Sequence, residues 1–304
     1  MRVLVTGAGG FVGRRLFAWL PESAWAGSIR LAPPPAGFDV RDPATIERAL
    51  DAVAPDAVLH LAAQSHVPTA WADPGGTFHV NAVGTVHVCH ALANRNFTGP
   101  VLVVGSADVY GLVPPEALPI PETRAPAPRN PYAASKVAAE AGALQWWRGK
   151  GLRVVVARSF NHTGPGQPPD FVLPSLARQV ARAKLGLQDG VTVGNLSATR
   201  DFAWVDDVLD AYLGLLDRGE AGEVYNVCSG REQKLQDLLD RLLAVAGLSV
   251  PVRVDPARLR PGDQPRVAGD PAKLIARLGR APRPIGDDHL RALLDHWVAQ
   301  EDQK

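Results

Sequence analysis

The sequence predicts an α/β fold built on a doubly wound parallel sheet. Four short runs, at residues 3–5, 57–60, 101–104 and 154–157, consist almost entirely of β-branched and aliphatic residues. Continuous apolar strands of this kind are expected where both faces of a parallel sheet are covered. Helix-length segments at 11–20, 43–53, 77–93 and 132–147 separate these runs. Strands that alternate with helices predict parallel crossover connections.

The second half of the chain predicts a smaller, mixed domain. Helical patterns at 171–185, 206–216, 235–246 and 287–299 are joined by segments rich in proline and glycine. The segment 161–169 predicts a boundary loop, and the proline-dense segment 114–131 predicts an extended surface loop that serves as a connector or a lid. We therefore expect one domain over 1–160, with residues near 203–230 packing back on it, and a second over 161–304.

Charge and composition exclude several classes of protein. The 304 residues include 32 basic and 31 acidic side chains, a net charge of +1, which provides no overall field for nucleic acid or an anionic membrane. Cys89 and Cys228 form no CxxC pair, and the histidines lack metal-ligand spacing, so neither a disulfide framework nor a metal site is expected. The chain reaches Gly7 too early for a signal-peptide core and has no long apolar run, which predicts a cytoplasmic protein.

A glycine-rich turn follows the first predicted strand. Gly7, Gly10 and Gly13 have the spacing GxxGxxG and lead directly into a helix. In dinucleotide-binding proteins such glycines allow a tight turn, close approach of a pyrophosphate and close packing of helix on strand, and the helix N-terminus faces the anion. The position of this motif predicts a Rossmann-type domain that binds NAD(P).

The second predicted strand bears on the choice of cofactor. In NAD-binding domains a carboxylate at its end often accepts hydrogen bonds from the ribose hydroxyls. Residues 27–31 carry no such carboxylate, and Arg30 lies among them. A guanidinium suits a 2′-phosphate, so we expect NADP(H) to be favoured over NAD(H), although a solvated surface arginine is the alternative.

Three polar residues form a candidate catalytic set. Tyr132 and Lys136 are four residues apart, directly after Pro131, and therefore share one face of a predicted helix. An ammonium that stabilises the phenolate makes a phenol, with an ordinary pKa of about 10, a usable acid or base near neutrality. Ser106 follows the strand at 101–104, at the carboxyl edge where open α/β sheets bind ligands.

These motifs together resemble the extended short-chain dehydrogenases/reductases, the NAD-dependent epimerase/dehydratase family, and within it the GDP-4-keto-6-deoxy-D-mannose reductases. The resemblance covers essentially the whole chain and implies that Ser106, Tyr132 and Lys136 are catalytic. Besides Tyr132, Lys136 and Arg30, the expected cofactor contacts are Gly7, Gly10, Phe11, Val12, Gly13, Asp39, Val40, Leu61, Ala62, Ala63 and Asn81.

The resemblance also implies a nucleotide-sugar site in the second half. Besides Ser106, its expected residues are Asn161, His162, Val172, Asn195, Arg200, Arg260 and Asp263. Arginines can pair with a diphosphate, a carboxylate can accept ribose hydroxyls, and an amide can bind sugar or phosphate oxygens.

The residues after Ser106 bear on the reaction. Sugar 4,6-dehydratases usually carry threonine followed closely by a carboxylate, whereas this chain has Ser106, Ala107 and Asp108. Asp108 is a candidate base beside the site. We expect NAD(P)H-dependent reduction of GDP-4-dehydro-6-deoxy-D-mannose to GDP-D-rhamnose; a GDP-mannose 4,6-dehydratase, a 4-epimerase and a non-catalytic NADP-binding regulator are the alternatives. By the same resemblance, segments 77–93 and 132–147 would form a homodimer through a four-helix bundle.

Overall fold

The structure is a computed structural model that describes residues 1–258 and 264–303. Its strands are β1 (Arg2–Thr6), β2 (Arg30–Ala32), β3 (Ala57–His60), β4 (Val101–Val104), β5 (Val154–Ser159), β6 (Asn161–Thr163), β7 (Val191–Val193), β8 (Thr199–Trp204), β9 (Val224–Val227), β10 (Glu232–Lys234) and β11 (Val252–Val254). Its α-helices are α1 (Phe11–Trp19), α2 (Pro43–Val53), α3 (Val67–Ala72), α4 (Pro74–Phe78), α5 (Gly84–Asn94), α6 (Pro131–Lys150), α7 (Val172–Lys184), α8 (Val205–Arg218), α9 (Leu235–Ala246), α10 (Ala272–Leu278) and α11 (Asp287–Asp302).

A six-stranded parallel sheet forms the centre of the molecule, in the order β2-β1-β3-β4-β5-β9. The predicted doubly wound α/β fold is therefore confirmed. The strand order reverses between β1 and β3, and a ligand of such a sheet binds in the crevice at the carboxyl ends of the strands there. The sixth strand comes from the second half of the chain, since Val224 of β9 pairs with Val156 of β5.

The apolar character of the strands follows from helices on both faces of the sheet. On one face, α1 and α8 bury residues such as Leu16 and Leu209 against β1, β3 and β5. On the other face, α2, α5 and α6 contribute residues such as Ile46, Leu92 and Leu144. Every residue of β3 is buried, which explains why this strand reads as an unbroken apolar run ending in a histidine.

A second core lies beyond the central sheet. Helices α7, α9 and α11 pack together through leucines such as Leu176, Leu239 and Leu290. Two small sheets, β10-β8-β6 and β11-β7, lie against these helices, with β7 in contact with α7 and β10 in contact with α9. Helix α8 begins directly after β8 and returns the chain to the central sheet.

Two segments that the sequence presents as loops are more ordered than expected. Asn161–Thr163 form β6, because they pair in parallel with β8 about 40 residues later. In the proline-dense segment, Pro115–Ala117 form a 3-10 turn, and Ile120 is buried and bridges to Gly269. The segment 114–131 is therefore anchored at its middle rather than lying wholly on the surface.

The helix expected over 77–93 contains a π-helical turn. Helix α4 starts at Pro74 because Asp73 caps it and accepts a hydrogen bond from the Gly76 amide. The π turn spans His79–Val83 and leads into α5. Single π turns inside helices often occur at functional sites, and this one carries Asn81. None of the helices in the described residues is long and apolar enough to cross a bilayer.

Candidate active site

The glycine turn forms a cradle between β1 and α1. Gly7 has a φ of +70°, and a Cβ atom there would lie 2.7 Å from the Ala62 nitrogen. A Cβ atom at Gly13 would lie 2.5 Å from the Gly7 carbonyl oxygen. Gly10 caps α1 without a side chain, so backbone N–H groups of the first turn remain available to an anion. This geometry fits the pyrophosphate of a dinucleotide.

A cleft of about 440 Å³ extends from this cradle. Its walls include four of the expected cofactor contacts, Gly7, Asp39, Val40 and Ala62. The lining residues come from three chain segments: Gly7, Ala8, Gly9, Pro33, Pro34, Pro35, Gly37, Phe38, Asp39, Val40 and Ala62. The side-chain hydrogen bond from Arg41, at 2.6 Å, lowers the pKa of Asp39 to about 2. Asp39 therefore presents a carboxylate acceptor at neutral pH.

Arg30 lies at the other end of its strand. In the register of β1 and β2, Arg30 is opposite Arg2, while Ala32 is opposite Leu4. Five residues of strand separate Arg2 from Gly7, a distance of about 16 Å. Arg30 is exposed and does not line the cleft. This position at the amino end of the strand does not support the expected contact between Arg30 and the 2′-phosphate.

A buried polar network ties the cradle to the helices beyond it. The His60 ring contacts Thr6 Oγ1 through Nδ1 at 2.8 Å and Thr85 Oγ1 through Nε2 at 3.0 Å. Thr6 Oγ1 also accepts a hydrogen bond from the Ala62 amide, which fixes the segment containing Leu61, Ala62 and Ala63. Burial lowers the pKa of His60 to about 3, so the ring is neutral.

Asn81 connects the same segment to helix α6. Its Nδ2 donates to the Gln64 carbonyl and to Ser135 Oγ, both at 2.9 Å, and its Oδ1 accepts from the Gln64 amide at 2.8 Å. Ser135 Oγ in turn donates to the Tyr132 carbonyl at 2.7 Å. Asn81 is fully engaged by protein atoms and holds the first turn of α6 in place.

Ser106 and Tyr132 meet at the carboxyl end of β4. Ser106 is buried at the start of a 3-10 turn, Ala107–Tyr110, and accepts a hydrogen bond from the Asp108 amide. Helix α6 begins at Pro131, capped by Asn130, whose Oδ1 accepts from the Ala133 amide. Burial raises the pKa of Tyr132, the charge of Asp108 raises it further, and a hydrogen bond with Ser106 opposes both. The phenol therefore carries its proton at neutral pH.

Lys136 is buried one turn after Tyr132. Its Nζ donates to the Val104 carbonyl oxygen at 2.8 Å, at the end of β4. Burial lowers the pKa of Lys136 to about 8, while the charge of Glu140 raises it. The structure thus brings the three expected catalytic side chains to one sheet edge. Asp108 is exposed beside them and acts on Tyr132 through its charge.

The sugar-side residues begin next to the glycine cradle. The rings of Phe11 and His162 stack with centroids 6.4 Å apart, which joins the start of α1 to β6. His162 Nδ1 contacts the Phe160 carbonyl, and burial lowers the pKa of this ring. Asn161 is exposed and pairs with Phe202 of β8, two residues from Arg200.

The other expected substrate residues lie at the edges of the second core. Val172 is the exposed first residue of α7, and the exposed Asn195 accepts hydrogen bonds from both Ser197 polar groups. Arg200 Nη1 donates to the Thr199 and Gln264 carbonyls. Arg260 and Asp263 lie outside the described residues.

Sequence reasoning missed four side chains at these sites. Arg14, exposed on α1, donates through Nη1 to the carbonyl of Gly9 in the cleft wall. Glu140 and Arg158 form a buried ion pair behind Lys136. Gln167 Oε1 is buried without a hydrogen-bond partner in the described residues. The detectable signals were an i, i+4 Lys/Glu spacing on α6 and an arginine at the end of the apolar strand β5.

No group of three or more metal-binding side chains occurs within residues 1–258 and 264–303. The cradle, the cleft and the Ser106, Tyr132 and Lys136 cluster instead define the fold and site of an extended short-chain dehydrogenase/reductase.

Comparisons with known proteins identify the family. A profile described as GDP-mannose 4,6 dehydratase matches residues 36–290. The chain belongs to this family. It is 47% identical to a GDP-6-deoxy-D-mannose reductase from Pseudomonas aeruginosa over 98% of both chains. It is 32% identical to GDP-mannose 4,6 dehydratase 1 from Arabidopsis thaliana, over 84% of this chain and 72% of that protein.

Solved structures agree with this assignment. The structure of RMD from Pseudomonas aeruginosa complexed with NADPH superposes with a TM-score of 0.92 at 45% identity, covering 98% of this chain and 99% of that one. A UDP-glucose 4-epimerase from Thermus thermophilus in complex with NAD gives a TM-score of 0.84 at 31% identity, with coverage of 98% and 99%.

The pKa of Lys136 predicts an alkaline limit to turnover. Because the ammonium loses its proton near pH 8, kcat/KM should fall as the pH rises through about 8, measured between about pH 6 and pH 10 with saturating cofactor. Lys136→Arg keeps its charge over this range, so its alkaline limb should move to higher pH even if its rate is lower. A wild-type profile that stays flat to about pH 10 would contradict the prediction.

Proposed function

We propose that this protein reduces the C4 keto group of GDP-4-dehydro-6-deoxy-D-mannose to GDP-D-rhamnose with NADPH. The observation that carries this proposal is the near-full-length, 47% identity to a GDP-6-deoxy-D-mannose reductase, in a chain that also has the Ser106, Tyr132 and Lys136 cluster. The NADPH complex of the similar RMD structure supports the same cofactor.

The protein's own side chains bind the cofactor and the sugar and supply the proton. When bound, NADPH supplies the hydride that adds to C4. Tyr132, which burial keeps protonated, donates its phenolic proton to the C4 oxygen, so that the ketone becomes a secondary alcohol. Ser106, which hydrogen-bonds the phenol, orients the phenol oxygen of Tyr132 and the C4 oxygen of the sugar. Lys136 stabilises the phenolate that remains until a proton from solvent restores it.

The second half of the chain would hold the GDP-sugar. Asn161 and His162 follow β5 beside the glycine cradle. Val172 begins α7, Asn195 lies between β7 and β8, and Arg200 is in β8. We assign sugar or phosphate oxygens to Asn161 and His162, and the diphosphate to Arg200 together with Arg260, because a guanidinium matches phosphate geometry. Val172 would pack on the nucleoside, and Asp263 would accept its ribose hydroxyls.

The 2′-phosphate of NADPH needs a cation that Arg30 does not provide. Strand β2 is followed by Pro33, Pro34 and Pro35 in the cleft wall, and proline has no N–H to donate. Arg41 is paired with Asp39. Arg14 donates to the carbonyl of Gly9, which also lines the cleft, so we assign the 2′-phosphate to Arg14.

We further propose that the protein is a cytoplasmic homodimer that pairs α5 and α6 of each subunit. Val83, at the end of the π turn, and Ala141 of α6 are exposed and suit such a contact. Leu144, by contrast, belongs to the core beneath α6.

The proposed reaction predicts a defined stoichiometry. The protein should oxidise one NADPH for each 4-keto sugar, and the product should be GDP-D-rhamnose by chromatography and NMR. Tyr132→Phe should lower kcat/KM at least about 100-fold, with NADPH binding, measured by fluorescence, largely retained. Formation of a 4-keto sugar from GDP-mannose without added reductant would instead indicate the dehydratase, and undiminished turnover by Tyr132→Phe would refute the mechanism.

The assignment of the 2′-phosphate predicts a selective effect on NADPH. Arg14→Ala should raise the KM for NADPH about 10- to 100-fold, which corresponds to the loss of a charged hydrogen bond of about 1.5–3 kcal/mol. It should leave the KM for NADH unchanged, because NADH has no 2′-phosphate. Arg30→Ala is the matched control and should affect neither. Equal loss for both cofactors would show that Arg14 only shapes the glycine turn.

A further inference from the structure

An ion pair is buried behind the proposed catalytic lysine. The side chains of Glu140 and Arg158 are 5% and 8% exposed, and Arg158 Nη2 lies 2.9 Å from Glu140 Oε2. Arg158 Nε also donates to both carboxylate oxygens, at 3.2 and 3.1 Å. Because burial of two charges costs about as much as their attraction returns, such a pair adds little to stability on its own. Its position therefore points to another role.

Glu140 lies one helical turn after Lys136 on α6. Residues four apart on a helix are neighbours on one face, and both side chains are buried. A Cβ atom at Gly105, directly after β4, would lie 2.5 Å from Glu140 Oε1. The absence of a side chain at Gly105 thus leaves room for the carboxylate between the end of β4 and α6, next to the carbonyl that holds Lys136.

Arg158 fixes the carboxylate to the sheet. Its Nη1 donates to Tyr110 Oη at 3.0 Å and to the Glu122 carbonyl at 3.3 Å. Tyr110 Oη donates to Asn226 Oδ1 at 2.7 Å. These contacts join β5, β9 and the 3-10 turn after Ser106 around one guanidinium, so Glu140 cannot move away from Lys136 without breaking a buried network.

Several charged or titratable groups surround Lys136. His60, on β3, is neutral because burial lowers its pKa to about 3. Tyr132, on the same helix, is protonated. Tyr110 and the exposed Asp108 belong to the 3-10 turn, and Arg158 on β5 lies behind Glu140. Glu140 is the anion whose charge opposes the effect of burial on Lys136.

We propose that Glu140, locked in place by Arg158, is a positioning residue that keeps the buried Lys136 ammonium protonated beside Tyr132. The inference rests on the proposed function for its catalytic consequence, but the protonation of Lys136 can be measured without turnover. The pair acts through Lys136 and contacts neither sugar nor cofactor.

The direct test is the titration of Lys136 by NMR. The chain has only six lysines, so isotope-labelled lysine gives few side-chain signals, and Lys136→Arg identifies the relevant one. In Glu140→Gln the midpoint for Lys136 should fall by at least about one pH unit, a tenfold change in the equilibrium. Glu140→Asp retains the charge and should titrate near the wild type. An unchanged midpoint in Glu140→Gln overturns the proposal.

The kinetic consequence is a shifted alkaline limb. The kcat/KM profile of Glu140→Gln should lose activity at least about one pH unit below the wild type, approach the wild-type rate on the acid side, and keep the same affinity for NADPH. A merely structural role would lower the melting temperature and leave the limb in place. If Glu140→Gln does not fold, the same substitution is made together with Arg158→Gln, and the same two outcomes decide when this double variant is compared with Arg158→Gln alone. A wild type that titrates as expected but reduces no 4-keto sugar would refute the proposed function alone.

Discussion

The hydrogen bond from Lys136 to the Val104 carbonyl fixes helix α6 over the carboxyl end of β4. Ser106 leaves the sheet two residues after this carbonyl, and Tyr132 stands one turn before the lysine, so both are set by the same anchor. Asn81 secures the first turn of α6 from the other side through Ser135. The catalytic geometry thus depends on one buried ammonium at a sheet edge.

Burial of this ammonium has a cost that the surrounding residues offset only in part. A pKa lowered from 10.5 to about 8 corresponds to about 3 kcal/mol of penalty on the charged form. The carbonyl at Val104 and the carboxylate of Glu140 favour the charge. Burial raises the pKa of Glu140, and the hydrogen bond and charge of Arg158 oppose this effect. The same desolvation lowers the pKa of Lys136 to about 8, so that the charge of a neighbour such as Glu140 can change its protonation near neutral pH.

The sequence was sufficient for the fold because its strongest patterns are local. Unbroken apolar strands, a glycine turn and a Tyr/Lys spacing each report directly on a parallel sheet and its carboxyl edge. The position of Arg30 along its strand could not be predicted, because it depends on the register between β1 and β2. Arg30 pairs with Arg2, which places it at the amino end of the sheet, away from the cofactor cleft. Strand β6 could not be predicted from local sequence either, because it forms by pairing with β8, which is distant in sequence. Glu140 follows Lys136 at a visible spacing, but its burial depends on Arg158 and on the space at Gly105.

The protonation of Tyr132 bears on the direction in which this site works. An enzyme that begins by oxidising a sugar at C4 must first remove the hydroxyl proton, and its tyrosine must act as a phenolate. In this structure burial and the charge of Asp108 both favour the neutral phenol, whereas reduction of a ketone consumes the proton that this phenol carries. Asp108, which a dehydratase would use as a base on the sugar, here supports the acid form of its neighbour. The raised pKa of Tyr132 suits a proton donor, and the similarity to a GDP-6-deoxy-D-mannose reductase decides between reduction and dehydration.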